Sequence, residues 1–371
     1  MNPTPNTPFL NLLNDTASER FSKEGIIALL LSQGEEEKML FDKAMEIKER
    51  YVGNVVHFRG LVEYSNRCGK SCYYCGIRSG NRAIHRYTVS DEEVIAVAKQ
   101  VMEYRYGSMA IQSGERGCRG FAKQITNLVK EIKRISGDKI GITLSCGEQS
   151  EEVYRAWFEA GAHRYLLRIE TSNPELYAKL HPQNEKHNYQ NRIASLERLR
   201  KVGYQVGSGI MVGLPWQTVE DLADDILFLK AQEIDMIGMG PYIEHTQTPF
   251  YRYRDELWPL QERLNVTLKM IATLRIMMKN VNMVASTAMQ AIDPKGREKA
   301  IVIGANIMMP NLTPQKYRDD YLLYQNKPGV DDDSQKSHNA LVKSALNIKH
   351  TIGYDQWGDS AHFSERISGK K

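Results

Sequence analysis

From residue 55 onward, short runs rich in β-branched and aromatic residues alternate with longer runs of helical periodicity. The alternation repeats eight times. The strand-like runs are Val55–Tyr64, Met109–Gln112, Ile140–Ser145, Arg164–Ile169, Tyr204–Met211, Asp235–Gly240, Asn282–Ser286 and Gly304–Met309. Helical runs separate them: Ser90–Tyr106, one ending at Ile135, one ending at Ala160, a pair at 173–180 and 189–202, Val219–Lys230, Glu262–Met278 and Lys295–Val302. Eight such units predict an α/β fold, a (β/α)8 barrel of parallel strands. A doubly wound open sheet is the alternative, but no glycine-rich dinucleotide loop follows the first strand. The expected organisation is an N-terminal extension with helices over 1–50, the barrel over 51–330, and a C-terminal helical extension over 331–371. Residues 1–8, with three prolines, read as a disordered lead-in, Asp331 to Ser334 as a solvated turn or cap, Ala340–Ile348 as one helix, and Ser364–Lys371 as a frayed end. In a barrel, side chains that do chemistry belong at the C-terminal ends of the strands.

With 371 residues, 42% of them apolar, the chain can bury a large core. A net charge of +4, spread along the chain, gives no case for nucleic acid or a membrane surface. No apolar run reaches the length of a membrane span, and the start lacks the basic and apolar regions of a signal peptide. The expected location is the cytoplasm.

Three of the five cysteines fall in one loop after the first strand, Cys68-Gly-Lys-Ser-Cys72-Tyr-Tyr-Cys75. No nearby cysteine or histidine supplies an obvious fourth ligand, whereas structural zinc is normally closed by four. Three thiolates suit a cubane 4Fe–4S cluster with one iron left without a protein ligand. A zinc knuckle completed from afar, or three ordinary buried cysteines, are the alternatives. Cys118 and Cys146 are singletons and read as structural, and His57, His163 and His181 have no partner at metal spacing.

Several polar residues fall at or near strand ends. Glu115, in Gln112-Ser-Gly-Glu115, follows the second strand and could take an ammonium group or serve as a helix N-terminal acid. Arg168 and Glu170 emerge from an apolar run, where charge must be used or paired. Glu170 could accept from ribose hydroxyls and Arg168 could grip a carboxylate, or the two could pair with each other. Arg192 lies early in a helix, where a cation gains nothing from the dipole. It reads as a carboxylate ligand or as a solvated arginine. Gly207 to Thr218 reads as a glycine turn, with Met211 and Val212 able to flank a flat ligand. Arg59, Thr143, Ser145, Ser286 and Thr287 are expected to line the barrel interior, where polar groups need a ligand or water.

C-x3-C-x2-C followed by Gly76 resembles the cluster loop of radical S-adenosylmethionine (SAM) enzymes. Gln112-Ser-Gly-Glu resembles their SAM-amino segment, with Ser113 in place of one glycine. Further segments resemble the [FeFe]-hydrogenase maturase family HydE: Arg59 to Asn66, Leu144-Ser-Cys-Gly-Glu148, Tyr165 to Thr171, Met211 to Thr218, Gly238 to Ile243, Ser286 to Met289 and Gly304 to Pro314. Biotin synthase and methylornithine synthase belong to the wider group. The resemblance implies a 4Fe–4S cluster on Cys68, Cys72 and Cys75. It implies SAM against Tyr74, Glu115, Glu170, Arg192 and Met211, and a substrate cavity faced by Arg59, Gln112, Thr143, Arg168, Thr287 and Tyr324. It further implies reductive cleavage of SAM and a small-molecule or organometallic substrate, a cysteine-bound iron carbonyl–cyanide precursor. An electron donor and other hydrogenase maturases are the implied partners. No cysteine follows Cys146, so a single cluster is expected. A radical enzyme acting on an amino acid, as methylornithine synthase does, and a metal-binding protein without SAM cleavage are the competing readings.

Overall fold

The computed structural model describes residues 7–331 and 334–369. The calls on residues 1–6, 332–333 and 370–371 lie outside these. Three helices come first, α1 (Thr7–Ala17), α2 (Lys23–Leu31) and α3 (Glu35–Tyr51). Thr7 and Pro8 therefore open a helix and are not part of a disordered lead-in. Ser22 caps α2, its Oγ accepting from the Gly25 N–H at 3.0 Å; Gly25 has no side chain to complete a capping box. Leu40, Ala44 and Ile47 form the buried stripe of α3, which packs on the barrel's outer layer.

The barrel units follow in order. They are β1 (Val55–Ser65), α4 (Asp91–Glu103), β2 (Ser108–Ser113), α5 (Arg119–Ser136), β3 (Gly141–Ser145), α6 (Glu151–Glu159), β4 (Ala162–Leu166), α7 (Pro174–Leu180) and α8 (Tyr189–Val202). Then come β5 (Gln205–Ser208), β6 (Met211–Val212), α9 (Val219–Ala231), β7 (Met236–Pro241), α10 (Leu260–Met277), β8 (Asn282–Ala285), α11 (Thr287–Ile292), α12 (Gly296–Ile303) and β9 (Ile307–Met308). Neighbouring strands pair in parallel, and β9 returns to β1 through His57↔Ile307 and Phe58↔Met308, closing an eight-stranded (β/α)8 barrel. The helix starts carry the expected local chemistry: Ser90 with Glu93 and Thr218 with Asp221 form full capping boxes. Amphipathic α5 buries Phe121, Ile125, Leu128, Val129 and Ile132 and ends on left-handed Gly137.

Two strands end earlier than their composition predicts. β4 stops at Leu166, and the fifth run breaks into β5 and β6 after Ser208. Gly209 explains part of this, because a Cβ there would lie 1.7 Å from the Gly238 carbonyl oxygen. Glu170 explains the rest. Its φ of 68° bends the chain over the barrel mouth, while its N–H donates to Gly209 O and its carbonyl accepts from Met211 N, both at 3.0 Å.

After the barrel come α13 (Ser334–Asn347), β10 (Thr351–Ile352) and α14 (Ala361–Ser368). The single helix expected here is joined by a strand and a second helix, and Ser364–Ser368 is helical. β10 pairs with the first residues of β1, so residues 351–360 pass under the barrel's N-terminal end. They close it with side chains and carbonyls. Arg164 Nε donates to Thr143 Oγ1 at 2.9 Å, its Nη2 to Ser108 Oγ at 2.6 Å, and its Nη1 to Trp357 O at 3.1 Å and to Asp359. Arg59 Nη2 donates to Gly358 O at 2.9 Å, and Nη1 to Met236 Sδ at 2.7 Å. This corrects the expectation for Arg59 and Thr143. Both belong to the closed bottom, because Arg59 falls in the first half of β1, in register with the first residue of β2.

Candidate active site

The mouth holds a cavity of about 360 Å³ lined from nearly every strand end. The cysteine loop forms one wall. Its shape is set by Arg86, whose Nη1 donates to Asn66 O and Ile77 O and whose Nη2 donates to Arg78 O and Asn81 O, at 2.6–2.8 Å. Asn66 Nδ2 ties the loop base to the carbonyls of His85 and Asp320. Gly76 allows close passage, since a Cβ would lie 2.0 Å from Leu322 O. Cys72, Tyr74 and Cys75 reach the cavity. Burial, with the neighbouring cysteines, pushes the Cys72 thiol up to about 12 and raises Cys75 as well, while burial, with Glu115, raises Cys68. Uncharged thiols are thus favoured until a cation arrives.

Behind this wall lies a buried charge cluster. Lys70 Nζ stands 2.6 Å from Glu148 Oε1 and 3.4 Å from Glu115 Oε1, and Arg192 Nε stands 2.7 Å from the same Glu148 oxygen. Glu115 Oε2 accepts from the Glu148 N–H at 2.9 Å. Left-handed Gly147 makes room, since a Cβ there would fall within 2.5 Å of the Glu115 side chain. Burial raises the Glu115 carboxyl, opposed by Lys70 and Arg192. Glu115 precedes α5 and does not line the cavity, whereas Arg192 does.

Arg168 and Glu170 line the β4 side and form the mutual ion pair, at 2.9 Å. Arg168 also donates to Ile210 O at 2.8 Å. Arg168 Nε, Glu170 Oε2 and Arg192 Nε are nonetheless buried without an aligned hydrogen bond. Their charges are matched while their directional capacity is left over, as in a site built for a polar ligand. Burial raises the Glu170 carboxyl against the pull of Arg168 and Arg192. Its left-handed backbone is a strained conformation for a residue with a side chain.

Tyr74 meets His181 edge-on, with Oη 3.4 Å from Nε2. Burial lowers His181 to about 3 and His187 to about 4, so both rings are neutral. His187 Nε2 accepts from the Ser71 N–H at 2.9 Å, pinning the cysteine loop. Gln112 and Met211 line the cavity, and Thr287 Oγ1 lies 2.8 Å from Tyr324 Oη on the far wall. Met211, Gln112, Arg168, Thr287 and Tyr324 are therefore brought together with Cys72 and Cys75, while Arg59 and Thr143 lie beneath. The sequence reading missed Lys70, Arg86, His187 and Arg297 and gave Glu148 no role. Lys70 carried one signal, a cation inside the cysteine loop. The others need the tertiary fold.

Residues 62–229 match the family profile described as the Radical SAM superfamily. The chain is 42% identical over 328 residues to the [FeFe] hydrogenase maturase subunit HydE of Thermotoga maritima, covering 88% of this chain and 90% of that protein. The chain belongs to the HydE family of radical SAM enzymes. A more distant relative is the 3-methylornithine synthase of Methanosarcina acetivorans, 27% identical over 78% of this chain and 79% of that one. The fold is also that of the maturase HydG from Carboxydothermus hydrogenoformans, with a TM-score of 0.80 at 20% identity over 97% of this chain and 82% of that chain.

Radical SAM membership implies a 4Fe–4S cluster and SAM, and three cysteines stand together in one motif. The donor set fits a cluster. Three thiolates in one motif are a donor set that a cubane can take, with one iron for each thiolate. Among the same residues no helix is long and apolar enough to cross a membrane.

Proposed function

We propose that this enzyme holds a 4Fe–4S cluster on Cys68, Cys72 and Cys75, binds SAM beside it, and acts as a hydrogenase maturase of the HydE type. One observation carries the reading: Cys72 and Cys75 open onto the same cavity as under-bonded Arg168, Glu170 and Arg192. The cluster, when bound and reduced by an external donor, supplies the electron that cleaves SAM. Arg192, anchored by Glu148, offers its guanidinium to the SAM carboxylate. Glu170 is placed to accept from the ribose, and Met211 to pack on the adenine. Tyr74, braced by His181, walls off the cysteine side. Glu115 acts from behind, through Lys70 and the Glu148 N–H that it binds. Gln112, Arg168, Thr287 and Tyr324 face the substrate, for which the family suggests a cysteine-bound iron carbonyl–cyanide precursor. Other hydrogenase maturases would supply and receive the reacting species.

Anaerobic reconstitution with iron and sulfide, then dithionite and SAM, tests this by chromatography for 5′-deoxyadenosine, with Cys72→Ala as control. Deoxyadenosine from the wild type alone is expected. Bound zinc, no iron absorbance and no cleavage would leave a metal-binding protein. The similarity to 3-methylornithine synthase favours an amino-acid mutase as second reading, and turnover of lysine in the same assay would select it.

A further inference from the structure

The peptide N–H groups of the cysteine loop are the donors nearest to any sulfur held there. Two of them serve the cysteines. The Lys70 N–H, two residues after Cys68, donates to Cys68 Sγ at 3.4 Å. The Ile77 N–H, two residues after Cys75, does the same for Cys75. The next N–H after Lys70 is turned away. Ser71 donates outward to His187 Nε2 at 2.9 Å. The Tyr73 N–H is also drawn off, to Leu180 O at 3.0 Å. Both acceptors belong to the end of α7 and its connection to α8, so one segment takes two amides from the stretch between Cys68 and Cys75.

Leu180 offers a main-chain carbonyl, which any residue has. His187 offers a side chain whose lone pair is fixed. Its Nδ1 lies 2.7 Å from Asn184 Oδ1. That atom also accepts from the Lys186 N–H at 3.1 Å, which makes it the amide oxygen. Nδ1 therefore carries the ring's proton, and Nε2 is left as the acceptor. The ring is 6% exposed, and His181 lies 5.7 Å away between centroids.

The direction of this one N–H has an electrostatic consequence. An N–H aimed at a thiolate or sulfide sets the positive end of a dipole against it and favours the more negative, reduced cluster. Hydrogen bonds to the sulfurs thus raise a cluster's potential. Giving an electron to SAM calls for the opposite, a strongly reducing cluster. An N–H drawn off by a neutral imidazole leaves the sulfurs more electron-rich.

We propose that His187 is a positioning residue that holds the Ser71 N–H away from the cluster sulfurs and so keeps the cluster's reduction potential low. The inference rests on reading Cys68, Cys72 and Cys75 as cluster ligands and adds how the chain tunes what they hold.

The test is a redox titration of reconstituted protein without SAM, followed by electron paramagnetic resonance, with iron and sulfide measured per folded molecule. His187→Leu fills the same space without an acceptor. Its midpoint is expected to rise, so that at a fixed poise the reduced-to-oxidised ratio is about threefold to tenfold that of wild type, ~30–60 mV for one electron. His187→Gln, whose amide oxygen can take the Ser71 N–H, should stay near wild type. Asn184→Ala changes an exposed residue and releases the ring, so it should shift the midpoint the same way by less. An unchanged or lower midpoint in His187→Leu at full cluster content would overturn the proposal, and so would an equal rise in His187→Gln. Where His187→Leu loses the cluster, Asn184→Ala decides, and no rise there would make the histidine structural only. A wild type that takes up no cluster would be failure of the radical SAM reading itself, seen before any variant is compared, and would take this proposal with it.

Discussion

Arg164 at the closed bottom of the barrel and Arg297 at its mouth are both buried, at 1% and 7% exposure, and they differ in what surrounds them. Every guanidinium nitrogen of Arg164 has a partner: Thr143, Ser108, Trp357 and Asp359. Arg297 has two nitrogens without one among the described residues. At the mouth, Arg168, Glu170 and Arg192 also keep unused hydrogen-bonding atoms despite their ion pairs. The bottom is not fully satisfied either, since Arg59 Nε, His57 Nδ1, His163 Nδ1 and Ser360 Oγ are buried there without a partner among the described residues. The mouth differs because its unpartnered atoms belong to side chains that line a cavity, where a ligand can complete the network.

The sharpest way to break this contrast is Asp359→Ala. It strips the carboxylate from fully buried Arg164 and is expected to cost about 2–3 kcal/mol, less than the ~3–5 of a fully buried pair because Asp359 is partly exposed. Urea denaturation reads the loss. Deoxyadenosine formed per folded molecule should not change; a fall in cleavage at intact stability would mean that the ends are coupled. Arg59→Met is expected to be milder, at about 1–2 kcal/mol, again without effect on SAM cleavage. A variant of wild-type stability that no longer forms deoxyadenosine would return Arg59 to the cavity.

The ends should also respond to pH with opposite signs. At the bottom, burial and then Arg59 and Arg164 hold His57 down to about 4. The unfolded chain, with an ordinary histidine near 6.5, takes up that proton first, so this residue's contribution falls as pH drops from about 6.5 to 4. At the mouth, burial raises Asp225, which accepts from the Ser172 N–H behind Glu170, to about 7. There the folded state holds the proton, so the contribution falls as pH rises from about 4 to 7. Stability relative to His57→Gln and to Asp225→Asn, followed by denaturation midpoints over that range, should slope in opposite directions; parallel slopes would refute the assignment. The smallest effect is expected from Thr287→Val, which removes the bond to Tyr324 for about 1 kcal/mol or less. Its larger signature should be in substrate turnover, with SAM cleavage retained.

The strands and helices were legible because their signals are local. Two-residue alternation, 3.6-residue stripes and capping serines such as Ser90 are written over a few neighbouring positions. The cysteine spacing is local too, as is the mouth position of Gln112 at the end of its strand. Arg168 and Glu170 were legible as a pair to be used or neutralised, but the curl that joins them was not. It depends on the Gly209–Gly238 contact and on a left-handed Glu170 that no composition rule predicts. β10 was invisible because two residues carry no periodicity.

The sequence by itself determined that this chain closes a barrel and gathers three cysteines at one end, since both follow from patterns along contiguous stretches. Only the tertiary structure decided which inward-facing polar residues see the cavity. Arg59 and Gln112 both point into the same barrel, and their height along its axis depends on register across eight strands. The partner that ties down Arg59 comes from Gly358, about three hundred residues away. Arg297 illustrates the converse: a helix arginine lines the cavity because the fold buries it there, while Asp293 and Glu298, the acids nearest in sequence, pair with Lys299 and Ser344.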